Sequence, residues 1–206
     1  TQSAMLEAMQ ERQTSIGGVV YPLPTPFMVL ATQNPIEEEG TYVLPEAQMD
    51  RFLMKEVLTY PSPADEADIL ERVASGAFER RIKHPPISIR DVMWLQEAVN
   101  AVYVAPVIRQ YIVALVGTTR GSGPRPVAGI ERHVRVGASP RGAIALMKVA
   151  QSIALQDGRG YVTPDDVRLL RHPVLRHRLV LTYDALADDV APESIIDAVF
   201  QAVPTP

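Results

Sequence analysis

The stretch VLATQNPIEEEGTYVLPEAQMDRF, Val29 to Phe52, joins a short apolar run to a polar Gln33-Asn34-Pro35 tip and, after a turn, to Asp50-Arg51-Phe52. Phe27 to Thr32 is nearly continuous in apolar residues, the form of a strand buried on both faces of a sheet. Such strands carry functional groups just past their carboxyl ends, where Gln33 and Asn34 stand. Beyond the acidic Glu37-Glu38-Glu39 and Gly40, Pro45 suits the first turn of a short helix holding Glu46, Ala47, Met49 and Asp50. Phe52 to Leu58 then reads as a second strand, interrupted by Lys55 and Glu56.

Upstream, residues 2 to 12 read as a helix with Met5, Leu6 and Met9 along one face. The chain opens almost inside this pattern, so it reads as a fragment whose preceding residues are missing. Gln13 to Ile16 and Val19 to Tyr21 are β-prone and joined by Gly17-Gly18, a hairpin signal because both turn positions tolerate positive φ. Pro22, Pro24 and Pro26 end that ladder.

Downstream, Tyr60-Pro61-Ser62-Pro63 marks a boundary, since two prolines in three residues exclude regular structure. From Ala64 onward the pattern is helical. Asp65 to Ala77 sets Ile69, Leu70 and Val73 on one face, and Ser88 with Asp91 forms a capping box for a helix carrying Val92, Leu95, Val99 and Val102. Pro106 opens a helix with Ile108, Ile112 and Leu115. Gly117 to Gly137, rich in Gly, Pro, Thr and Arg, reads as a surface loop. Ser139-Pro140 caps a helix that runs through Leu155, Thr163-Pro164-Asp165-Asp166 repeats that start, and a last helix spans about Pro192 to Ala202.

The 206 residues are 47% hydrophobic and 21% charged with a net charge of −4, which excludes disorder and a general affinity for polyanions. No cysteine is present, so disulfides, thiolate zinc sites and cysteine nucleophiles are excluded. The opening residues are not a signal sequence, and no apolar run approaches the roughly 18 residues of a membrane helix. A soluble, cytoplasmic protein without membrane insertion is expected.

LEAMQERQ before the Gly-Gly hairpin, VLATQNP, EEEGTYVLPEAQMDRF, GASPRG and VLRHRLVLTYDA, in this order and spacing, make nearly the whole chain similar to the MoxR branch of the AAA+ ATPases. The resemblance implies an α/β remnant of a P-loop AAA+ core over residues 1–60, carrying a hairpin insertion, sensor 1 and an arginine finger. An all-α lid domain with sensor 2 follows over residues 61–206.

Asn34 matches the family's sensor 1, an amide that orients the attacking water because it both donates and accepts; by residue type alone it is a turn residue before Pro35. Arg51 matches the arginine finger presented to the neighbouring subunit's nucleotide, a task suited to a rigid fork of donors; alone, Asp50-Arg51 is an ordinary surface pair. Arg141 matches sensor 2, which reaches its own subunit's nucleotide. At the second position of a helix it lies against the unfavourable end of the dipole, which a bound phosphate or simple solvation would explain. The hairpin resembles one that faces the ring's central channel in this clade, a plain hairpin without contacts being the other reading.

Arg168, Arg171, His172, Arg176, His177 and Arg178 form the densest basic cluster. Aromatic residues are not interleaved with it and Leu169, Leu170, Val174, Leu175 and Leu179 alternate through it, so packing with a solvated or intersubunit face is favoured over nucleic acid. A phosphate loop G-x-x-x-x-G-K-[ST] is absent, since none of the three lysines, Lys55, Lys83 and Lys148, follows a glycine. Asp65-Glu66 follows Pro63 and opens a helix, so it is helix charge and not the magnesium-holding pair. The resemblance sets that pair just before the first helix, so the chain by itself is expected to be inactive.

For the full-length protein the resemblance implies ATP and Mg²⁺ as cofactors, hydrolysis coupled to remodelling of client proteins, and a homo-oligomeric ring, commonly a hexamer. Partners with von Willebrand factor A domains are implied too. No metal site is expected within these residues. A magnesium-chelatase-like motor and a non-catalytic helical adaptor are the alternatives.

Overall fold

The computed structural model describes residues 2–33, 44–77 and 86–206. Asn34 lies outside the described residues, as do the three glutamates that follow Ile36. Helix α1 (Gln2–Glu11) leads into β1 (Gln13–Ile16), which pairs antiparallel with β2 (Val19–Pro22) in the register Gln13 to Pro22 and Ile16 to Val19. Gly17 and Gly18 take φ of 60° and 81°, the pair of positive values that a two-residue turn with the strands' own twist requires. Glu7 ties helix to hairpin by accepting from the Ser15 hydroxyl, the Ser15 N–H and the Gln13 amide.

Two expected strands are not formed. Residues 27–33 and 54–60 are irregular, and Met28, Leu30 and Leu58 are exposed. A strand buried on both faces needs a ladder on either side, and among the described residues the only sheets are β1–β2 and a second two-stranded sheet. Helix α2 (Glu46–Met49) is a single turn, with Pro45 at its N-cap and not within its first turn.

The helical part follows the caps closely. Ser62 accepts from the Asp65 N–H and opens α3 (Pro63–Ala74), which ends three residues earlier than expected, just before Gly76 at φ 65°. The Ser88–Asp91 capping box opens α4 (Ile89–Ala101). Helix α5 (Pro106–Thr118) buries Ile108, Ile112 and Leu115, as its spacing requires. The expected surface loop 117–137 is instead structured: it contains α6 (Ile130–His133) and β3 (Val134–Val136), and Thr118, Thr119 and Ile130 are buried. The Thr119 hydroxyl closes it, donating to the Val116 carbonyl and accepting from the Ala138 N–H.

Helix α7 (Pro140–Gln156) runs through the centre, followed by α8 (Pro164–Leu169), α9 (Arg171–Leu175), a 3-10 turn (Arg176–Arg178), β4 (Val180–Leu181), α10 (Tyr183–Ala187) and α11 (Pro192–Ala202). Because β3 and β4 pair antiparallel, this part is not wholly α-helical. Its core gathers Leu115, Val116, Leu146, Ala150, Val167, Val174, Leu175, Ile196 and Val199, contributed by α5, α7, α8, α9 and α11. Among the described residues no helix is long and apolar enough to cross a membrane.

Candidate functional site

The single turn of α2 delivers Asp50 and Arg51 at its carboxyl end, where Asp50 N–H bonds the Glu46 carbonyl and Arg51 N–H bonds that of Gln48. So short a helix has little stability of its own. Its hold comes from the distant turn at Arg176–Arg178. Asp50 accepts from the Arg178 Nε at 3.2 Å, from the Ser139 hydroxyl at 2.7 Å and from an Arg141 Nη at 3.4 Å. Asp50 is thus a half-buried hub and not the surface partner of Arg51.

Arg178 is the buried member, its side chain 2% exposed. Its remaining donors reach the carbonyls of Asp50 at 3.3 Å, Phe52 at 2.5 Å, Leu53 at 3.2 Å and Val174. Burial pushes its pKa down, with the Asp50 carboxylate working against that. Such desolvation is tolerable only when the charge is paired and every N–H is satisfied. Gly142 makes room for it, because a Cβ there would lie 3.3 Å from the Arg178 Cδ. Around it, Lys55 N–H donates to the Pro173 carbonyl and Arg176 to that of Lys55, so residues 50–55 are stitched to residues 173–178.

Of the residues expected to act, Arg141 stands at the start of α7, its N–H capped by the Ser139 hydroxyl at 3.1 Å and its side chain 51% exposed. Among the described residues only the long Asp50 contact holds its side chain, so the guanidinium is available to an anion without losing a tight partner there. Arg51 is half-buried, and its Nε has no hydrogen-bond partner among the described residues. Asp50 links the two: it precedes Arg51 in the chain and touches Arg141 in space.

Sequence reasoning missed Asp50 and Arg178. One signal was present, an arginine set between the core positions Leu175 and Leu179. The other basic residues of that cluster also have internal partners: Arg168 reaches the Tyr111 hydroxyl and Thr205, Arg171 and His172 share Asp197, and Arg176 pairs with Glu193.

His177 completes the junction. Its Nε2–H donates to the Phe52 carbonyl at 3.2 Å, and Nδ1 is buried without a partner among the described residues. Burial, helped by the Arg178 charge, pushes its pKa down from 6.5 to about 4. The unfolded chain therefore binds more protons between these values, and the stability held above pH 6.5 is lost as pH falls through that window. The slope is at most about 1.4 kcal/mol per pH unit. Asp166 and Asp197, where arginine hydrogen bonds overcome burial, titrate below their ordinary 3.8 and act only at lower pH. Urea midpoints should fall between pH 7 and 4.5, and His177→Gln, which keeps a donor, should flatten the fall; equal slopes in both proteins would remove His177 as the source.

The family model described as ATPase family associated with various cellular activities (AAA) matches residues 1–54, and the AAA lid domain model matches residues 128–199. A solved putative ATPase from Cytophaga hutchinsonii superposes with a TM-score of 0.90 at 38% identity, over 100% of this chain and 62% of its own. The chain is therefore an AAA+ ATPase sequence that combines core and lid elements.

Chaperone MoxR1 of Mycobacterium tuberculosis is 47% identical over 205 residues, which are 100% of this chain and 54% of that protein. Protein MoxR of Methylorubrum extorquens is 31% identical over 222 residues, covering 98% and 62%. The chain belongs to the MoxR family and spans about half to three-fifths of the length of these relatives.

Proposed function

We propose that the full-length protein hydrolyses ATP as a cytoplasmic homo-oligomeric ring, commonly a hexamer, and uses the cycle to remodel client proteins, among them partners with von Willebrand factor A domains. Residues 1–60 belong to the nucleotide-binding core and residues 61–206 to the lid. The supporting observation is Asp50, which ties the segment bearing Arg51 to Ser139 and Arg141 at the head of α7.

In this reading Asn34 orients water, Arg51 serves the nucleotide of the neighbouring subunit and Arg141 serves its own. Mg²⁺, when bound with the nucleotide, neutralises charge on the β- and γ-oxygens. Arg141 fits an anion. It sits at the amino-terminal, positive end of α7, and exchanging the 3.4 Å Asp50 contact for a phosphate oxygen replaces a weak charged bond with a shorter one. The 206 residues contain no phosphate-loop sequence, so this stretch alone does not hydrolyse ATP.

Removing one charge-assisted bond costs about 1.5–3 kcal/mol, or about 10- to 100-fold. In the full-length protein Arg141→Ala should therefore raise the ATP KM and the ADP Kd by about tenfold or more. Calorimetric ADP titration beside steady-state hydrolysis measures both, and unchanged constants would remove Arg141 from the nucleotide site.

A further inference from the structure

We propose that Arg178 and Asp50 are positioning residues for Arg51, so that the orientation of the lid in one subunit sets the arginine offered to its neighbour. The inference rests on Arg51 acting in trans as described above. The geometry is specific. Arg178 bonds the carbonyls of Asp50, Phe52 and Leu53, which bracket Arg51 on both sides. Its Nε takes the Asp50 carboxylate, and another N–H is anchored on Val174 in α9. All five donors of the guanidinium are then engaged at once.

The backbone carrying Arg51 is consequently held by Arg178 as well as by the single turn of α2, which is only four residues long. His177 adds a second lid bond to the Phe52 carbonyl. Any rotation of the turn at Arg176–Arg178 carries the Arg51 backbone with it. Arg141 reports on the same element through Asp50, so one lid movement is felt at two nucleotides. Lysine cannot replace Arg178 here, because its single nitrogen offers three donors from one point and cannot span carbonyls spread along four residues.

The test uses the full-length ATPase with ATP as substrate and ADP as binding probe. Arg178→Lys should lower kcat about tenfold or more, while the ATP KM and ADP Kd stay within about twofold, the pattern of an interaction made only in the transition state. Rings mixing Arg178→Lys with Arg141→Ala subunits, which keep an intact Arg51, should recover turnover. Rings mixing it with Arg51→Ala subunits should not.

Wild-type turnover in Arg178→Lys, a raised KM with unchanged kcat, or recovery with Arg51→Ala subunits would each overturn the proposal. Should thermal melting show that Arg178→Lys unfolds the lid, Asp50→Asn, which keeps the side-chain shape and loses the charge, decides in its place by kcat and the mixed-ring readouts alone, because Asp50 also touches Arg141 and its charge bears on nucleotide affinity. Normal turnover in Arg51→Ala would overturn the trans reading and this inference together. A defective Arg51→Ala beside a normal Arg178→Lys overturns the positioning role alone.

Discussion

In the full-length protein, on the function proposed above, Arg51→Ala should lower kcat about 10³-fold, at the lower end of what a trans-acting arginine supplies to phosphoryl transfer, while ADP affinity changes by less than about threefold. Arg51 is left with an unmatched donor, its Nε, among the described residues. Asp50, its neighbour in sequence, is engaged by Arg178, Ser139 and Arg141. A half-buried guanidinium with an unmatched donor is more expensive than a solvated one and is explained when an acceptor arrives from elsewhere. Mixing Arg51→Ala subunits with subunits that keep Arg51 but lack their catalytic carboxylates should restore part of the turnover. No recovery in such rings would place the action of Arg51 in its own subunit. Arg51→Lys should recover little, since it keeps the charge and loses the fork.

What could be read from the chain divides by the distance over which each feature is decided. Ser88 with Asp91, and Ser139 before Pro140, start helices through contacts within three residues, and those starts follow directly from residue type. The Gly17-Gly18 turn is equally local. The runs at 27–32 and 52–58 have the composition of buried strands, but a strand exists only through its ladder, and the described residues offer none.

Loop 117–137 looked open because its polar residues suggested solvent, whereas Thr119 spends its hydroxyl on closing the loop against Ala138, 19 residues away. The candidate site residues were legible as motif positions, and the contacts that hold them were not. Arg51 and Arg141 sit in motifs, while the Asp50 contacts span 89 residues to Ser139 and 128 to Arg178, separations at which residue type alone does not name a partner.

Leu115→Ala should be the most destabilising substitution in the core, at about 3–5 kcal/mol, because the residue is fully buried and the cavity lies between packed helices that cannot close over it. Helix α5 lies against both α7 and α11, so the void opens at the centre of the helical part and not at its rim. For a chain of this size the melting temperature should drop by about 6–20 °C. Val113→Ala, two residues earlier on the 62% exposed side of the same helix, should change stability by less than about 1 kcal/mol. Denaturant unfolding of the two variants beside the parent measures the difference, and a Leu115→Ala cost near that of Val113→Ala would mean that α5 does not pack as described. The consequence reaches the site through the end of α5. Thr119 N–H bonds the Leu115 carbonyl, and the Thr119 hydroxyl holds the Ala138 N–H just before Ser139 and Arg141. Loosening α5 therefore loosens the start of α7, and nucleotide affinity in the full-length variant should weaken with stability even though Leu115 touches no ligand.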